Sequence, residues 1–199
     1  MILEGGFPLS QESDIKLLIE TYDAFQNEPS QRLIRVLEDL ADRGSSLSMI
    51  YVAEAYENGA GVAVDSAKAV EWYRRAMDSG SNLASYYLGH LFLKKENYVR
   101  ALEAFSVGAL DSFPPSLYRA AKMHLDGLGC ERDVGLALRF LEEASEKGHV
   151  FAKRALAAMC FRGEFVPRNL IRGISLLASA VKAILVLGIT EPDSDLLRA

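Results

Sequence analysis

Cysteine is scarce. Cys130 and Cys160 are the only two in 199 residues, too few for a disulfide framework and suited to a reducing compartment. Positive charge is not in excess. Twenty-two Lys and Arg stand against 27 Asp and Glu, a formal charge of −5, and this balance offers no basic stripe for a nucleic-acid partner. The N-terminal stretch MILEGGFPLSQESD has neither a basic start nor a long apolar run, so it does not read as a secretory signal, and the cytoplasm is the expected location. Half of the residues are apolar and a quarter are charged, which excludes wholesale disorder.

Long apolar runs are also few. Gly173 to Ile189 is one, interrupted by Lys182. A spanning helix needs about 20 apolar residues, and a central lysine costs roughly 2.5–3.5 kcal/mol on the insertion scale. A buried or self-associating helix is therefore expected in place of a membrane span.

Catalytic signatures are missing too. The chain holds no Gly-x-x-x-x-Gly-Lys-Ser/Thr loop, no His-Glu-x-x-His and no Gly-x-Ser-x-Gly. Ser13-Asp14-Ile15-Lys16 matches the Ser-x-x-Lys nucleophile pattern, but Ser-Asp-Asn and Lys-Thr-Gly are absent. Helix N-capping by Ser13 is the expected reading. His90, His124, His149 and Cys160 are scattered without ligand-pair spacing, so no metal and no cofactor are expected. His124, Cys130 and Cys160 read as packing residues.

What the sequence does contain is a repeat. AVEWYRRA (69–76), ALEAFSVG (101–108), ALRFLEEA (137–144) and GISLLASA (173–180) each carry a small residue, an apolar pair and a second small residue. Ala69, Trp72, Tyr73 and Ala76 fall on one face of a helix, so Trp72 is expected in the core. Asp65, Asn97, Asp133 and Asn169 precede the small positions by four residues and are expected N-caps. A first helix comes before each copy, at 48–59, 84–95, 116–127 and 152–163, with small residues Ala53, Gly89, Ala121 and Ala157 in register. Gly59, Gly127 and Gly163 end three of them, as left-handed C-caps do. KKENY (94–98) replaces the longer connector in the second copy. Gly44, Gly80 and Gly148 close the second helices, with Ser112 at the matching place. Gln31–Arg43 and Asp14–Gln26 fit a degenerate first pair.

The set GAGV at 59–62, Asp65, KA at 68–69, WY at 72–73, Ala76 and Gly80 resembles the Sel1-like repeat family, a relative of the tetratricopeptide repeat. GLG at 127–129 with Asp133, Ala137, Ala144 and Gly148 repeats it. Ser112 departs from the family glycine, and Phe165 replaces the second loop glycine of the last copy. The resemblance implies an all-α solenoid of about five antiparallel helix pairs in one repeat domain over 1–199. Its parts are a degenerate pair at 12–44, repeats at 45–80, 81–112, 113–148 and 149–184, an apolar helical extension to 189 and a tail at 190–199. Neighbouring pairs must stack to bury their apolar faces.

The resemblance also implies a non-enzymatic adaptor or regulator, expected to be bacterial, that binds a protein or peptide on the concave face lined by first helices. Register places Ile50, Tyr86, Tyr118 and Arg154 in one inward row. Glu54, His90 and Lys122 follow one turn on, with Tyr51, Tyr87 and Arg119 beside them. An aromatic groove with a few charges suits a peptide, although Tyr86 and Tyr118 equally fit packing between neighbouring helices. No ring of Lys and Asn favours a C-terminal carboxylate. An inhibitor or immunity-type binder is the alternative, and a serine hydrolase of β-lactamase type using Ser13 and Lys16 is the rival from another class. Finally, Ile184, Leu185, Val186 and Leu187 would form an apolar patch larger than soluble monomers usually show. A cover is expected, either by the chain folding back or by a second subunit in a homodimer, ahead of membrane attachment.

Overall fold

The computed structural model describes residues 12–187, and side chains from Ser13 to Leu185. Every regular element among them is a helix: α1 Glu12–Asn27, α2 Gln31–Asp42, α3 Ser46–Asn58, α4 Ser66–Asp78, α5 Asn82–Lys94, α6 Tyr98–Leu110, α7 Pro114–Asp126, α8 Val134–Glu146, α9 Val150–Arg162 and α10 Leu170–Leu187. The ten form five consecutive pairs in an all-α repeat fold. The predicted tail at 190–199 lies outside the described residues, as do the side chains of Val186 and Leu187.

The helices start where the sequence places their caps. Asp65 Oδ1 accepts from the Ala67 and Lys68 amides at 3.0 and 3.1 Å. Asn97, Asp133 and Asn169 each accept from the amide three residues on, at 3.3, 2.8 and 2.9 Å. Each such bond satisfies a first-turn donor that has no intrahelical partner. From α2 to α9 the helices end at residues in the left-handed region. Glycine fills most of these places, but Glu96 and Ser112 adopt φ of 56° and 57°, and in the connector after α9 Phe165 takes φ of 62° where Gly61 and Gly129 stand in other copies. Ser112 therefore keeps the backbone of the glycine it replaces, and its hydroxyl donates to Glu143 on α8.

Contacts divide the chain into two compact units, one up to Ala104 and one from Phe105, with the division inside α6. In the first, Leu18 and Phe25 of α1 pack with Ile34, Leu37 and Leu40 of α2 and Val52 and Ala55 of α3. In the second, Leu117 and Ala121 of α7 pack with Ala137, Leu141 and Ala144 of α8 and Leu156 of α9. The small residues that begin and end each repeated segment are all buried: Ala69 and Ala76, Ala101 and Gly108, Ala137 and Ala144, Gly173 and Ala180. Gly173 shows why size matters there. A Cβ at this position would stand 2.5 Å from the Phe161 ring, so α9 and α10 meet too closely for alanine without moving that ring.

In the first three apolar pairs, the second member is the core residue: Tyr73, Phe105 and Leu141 are fully buried. Trp72 is only half-buried and lies at the edge of the first unit's core, with the Arg75 guanidinium 4.5 Å over its ring. This corrects the expectation of a core indole. The stripe is centred on 69, 73 and 76, and position 72 falls to its side.

α10 ends the series and behaves differently. Leu177, equivalent to Tyr73 and Leu141, is exposed, because no helix follows α10 among the described residues. Ile171, Ile174, Val181, Ile184 and Leu185 are exposed as well, Leu185 at 78%. Within the described residues, no part of the chain lies over this face. No described helix is long and apolar enough to cross a membrane.

Candidate functional site

In the first unit, α3 and α5 occupy equivalent places in successive repeats, so Tyr51 matches Tyr87 and Glu54 matches His90. Ile50 and Tyr86, assigned to the inward row, are 2% and 5% exposed. They belong to the packing and offer a partner almost nothing to touch. Tyr51, Glu54, Tyr87 and His90 are half-buried. Tyr51 stacks on Tyr22 of α1 with centroids 4.1 Å apart. Tyr87 lies 6.1 Å from the ring of Tyr73 on α4 and 5.8 Å from Tyr86. Tyr86 in turn meets His90 at 4.5 Å.

Glu54 and Glu57 sit one turn apart on α3. Glu57 accepts from the Tyr73 hydroxyl at 3.2 Å and pairs with Lys94 of α5 at 3.5 Å. Glu54 is different. Burial, and then the charge of Glu57, push its carboxyl up to about 7. Burial also pushes the Tyr87 hydroxyl up to about 12, with Glu54 adding to the effect. Tyr51 and Tyr73 are raised further for the same first reason. All three phenols keep their protons at neutral pH. The site is a set of neutral aromatic rings around two carboxyl groups.

In the second unit, Tyr118 is 7% exposed and packs against His149 and Phe151, with centroids at 4.9 and 6.0 Å. It too belongs to the packing. Arg119 and Lys122 are half-buried. Arg154 is exposed, with its guanidinium 5.6 Å over the Phe151 ring. His149 caps α9: its Nδ1 accepts from the Ala152 amide at 3.2 Å, which requires that nitrogen to be unprotonated.

The other candidates resolve individually. Cys160 is buried as expected. His124 is not a simple core substitution, because its Nδ1 lies 3.3 Å from Cys130 Sγ. Burial, and then Asp133, push the Cys130 thiol up, so the pair is a thiol–imidazole contact and not an activated thiolate. Ser13 and Lys16 are both exposed. Ser13 already lies within α1 and does not precede it as an N-cap would. Among the described residues, no group of three His, Cys, Asp or Glu could hold a metal ion.

Three members of the Glu54 site were not among the sequence candidates. Glu57 was signalled by its three-residue spacing from Glu54. Tyr22 and Tyr73 had no comparable signal, because α1 is the degenerate helix and Tyr73 is on a second helix. A cleft of about 650 Å3 lined by Leu17, Gln31, Arg32, Arg35, Val36 and Asp39 of α1 and α2 is a further feature that spacing did not reveal.

Repeated helix pairs with capped starts and left-handed ends define an α-helical repeat protein of the solenoid class. The Sel1 repeat model matches residues 46–81, 114–149 and 150–183, more than half of the chain, and the protein belongs to the Sel1 repeat family. The second copy lies between the matched segments, where the connector is short. Sel1 repeats build protein–protein interaction scaffolds.

The chain is 32% identical over 106 residues to the ERAD-associated E3 ubiquitin-protein ligase component HRD3B of Arabidopsis thaliana, covering 50% of this chain and 16% of that protein. It thus spans about a sixth of that relative. Among solved structures, a Sel1 repeat protein from Oxalobacter formigenes superposes with a TM-score of 0.74 at 16% identity, over 87% of this chain and 76% of that one. Immunity protein Pa5087 from Pseudomonas aeruginosa superposes with a TM-score of 0.60 at 20% identity, over 88% and 68%. At these identities the likeness is one of fold.

Proposed function

We propose that the protein is a non-catalytic interaction module, an adaptor or regulator that takes a protein or peptide on the faces of its first helices. The observation that carries this reading is the half-buried set of Tyr51, Glu54 and Tyr87. Aromatic rings with a polar group among them are typical of interaction anchors. In the second unit, Arg119, Lys122 and Arg154 are the corresponding contact residues. Affinity capture with the full chain, followed by mass spectrometry, tests the reading. A partner retained by the wild type and lost with Tyr51→Ala or Tyr87→Ala is the expected result. Capture unaffected by substitutions on α3, α5, α7 and α9 overturns it.

The fold likeness to an immunity protein favours a second reading, in which the module inhibits a partner enzyme. Co-expression separates the two: an inhibitor relieves the growth defect caused by its captured partner, and an adaptor does not. Nitrocefin turnover that vanishes in Ser13→Ala would instead support hydrolysis. We read the chain as a bacterial cytoplasmic protein, which cell fractionation checks.

The outer face of α10 completes the proposal. Ile171, Ile174, Leu177, Val181 and Leu185 recur at three- and four-residue spacing and form one exposed apolar stripe. The tail beyond it carries Glu191, Asp193 and Asp195 ahead of Leu196 and Leu197. A second copy presents the same apolar surface under two-fold symmetry, and we take it as the cover.

A further inference from the structure

We propose that Glu54, with Tyr51 and Tyr87 beside it, is the anchor for a basic side chain of the partner, an arginine or lysine presented by a peptide segment. This deepens the interaction-module reading and rests on it.

The first argument is charge. Glu57 has partners of its own in Lys94 and Tyr73. Among the described residues, no basic group lies within ion-pair distance of Glu54, and both influences on its carboxyl, burial and Glu57, disfavour the charged form. A half-buried carboxylate beside a second one is a place where an added cation gains most, because partial desolvation strengthens the attraction.

The second argument is the kind of cation. A hard metal ion needs several oxygen ligands, and no suitable group of acidic or imidazole side chains exists among the described residues. The surroundings are aromatic. Tyr51 and Tyr87 each lie close enough to Glu54 for its charge to act on their hydroxyls, and both rings are partly accessible. Ring faces attract ammonium and guanidinium groups, and their apolar stems pack on the same surface. The protein already makes such contacts internally, as with Lys68 4.8 Å over the Tyr56 ring and Arg75 over Trp72.

The third argument is placement. Tyr51 and Tyr87 come from equivalent positions of neighbouring repeats, and Glu54 is one turn from Tyr51. The stacking of Tyr22 on Tyr51 and the packing of Tyr73 against Tyr87 fix both rings before a ligand arrives, which limits the ordering cost on binding.

The test is selection of a phage-displayed random dodecapeptide library on the immobilised full chain at pH 7.5. The enriched peptides are then measured against wild type, Glu54→Gln and Tyr87→Ala. Gln is the neutral isostere of Glu, and matching circular dichroism checks that the variant is folded. The expected result is a fixed Arg or Lys in the enriched peptides, with at least tenfold weaker binding to Glu54→Gln and a smaller loss with Tyr87→Ala. Replacing that basic residue by Gln in the peptide should weaken wild-type binding by the same factor and leave Glu54→Gln binding unchanged. Peptides that bind the α3–α5 face without a basic residue, or equally well to Glu54→Gln, overturn the anchor while the interaction module stands. If no peptide is selected by this face, the anchor falls together with the peptide-binding reading.

Discussion

The Asp65 amide donates to the Tyr56 carbonyl at 2.8 Å, tying the start of α4 to the last turn of α3 across the connector. The bond recurs from Asp133 to His124 at 3.0 Å and from Asn169 to Cys160 at 2.9 Å. In the shortened second copy it survives from Asn97 to Phe92 at 2.9 Å. One backbone bond thus sets each turn, and the cap side chain adds to it. Asp65→Ala keeps the backbone bond and removes the side-chain acceptor. It should lower stability by about 1 kcal/mol, read as a shift of the urea midpoint, and Asp65→Asn should lose less.

Two substitutions at left-handed residues should move stability in opposite directions. Glu96 is exposed with φ of 56°, so Glu96→Gly relieves a strained backbone and should raise stability by about 1 kcal/mol. Gly61 has φ of 72°, and a Cβ there would stand 2.8 Å from the Ser30 amide nitrogen. Gly61→Ala should therefore cost about 2 kcal/mol or more, from backbone strain and the contact together. Thermal melts of the two variants check both signs.

Glu54 makes stability depend on pH. Its carboxyl titrates at about 7 in the folded chain against an ordinary value of 4.5, so the native state holds the extra proton between these values. Stability from this group is present below pH 4.5 and is lost as pH rises through 7. Glu57 with Lys94, and the protonated Tyr51, Tyr73 and Tyr87, surround it and do not change this sign. Glu54→Gln should be more stable than wild type by about 2 kcal/mol at pH 8, allowing for partial exposure, and equal to it near pH 4.5. Urea melts at four pH values read the convergence.

The stripe on α10 predicts self-association. Light scattering of the full chain should give a mass above one protomer, and Ile174→Glu combined with Leu185→Glu should give a single protomer with an unchanged helical spectrum. A wild-type monomer at all concentrations up to about 0.1 mM, which is a weak-binding threshold near 5–6 kcal/mol, would show that the stripe needs no second copy.

The repeat frame was legible in the sequence because its devices act locally. Asp65, Asn97, Asp133 and Asn169 cap the helix that begins at the next residue. The left-handed residues sit at fixed offsets, and small residues recur wherever two helices touch. Local hydrogen bonding and backbone sterics dictate these features whatever lies elsewhere in the chain. Tertiary structure decided which side chains are available. It buried Ile50, Tyr86 and Tyr118 and left Trp72 at the edge of the core while Tyr73 filled it. It exposed Leu177, because α10 has no following helix among the described residues. It also brought Tyr22 onto Tyr51 and Tyr73 toward Tyr87, framing Glu54 with rings from four helices. Repeat spacing fixes the register along each helix. The burial of a given side chain depends on how neighbouring helices pack, and those contacts exist only once the pairs have stacked.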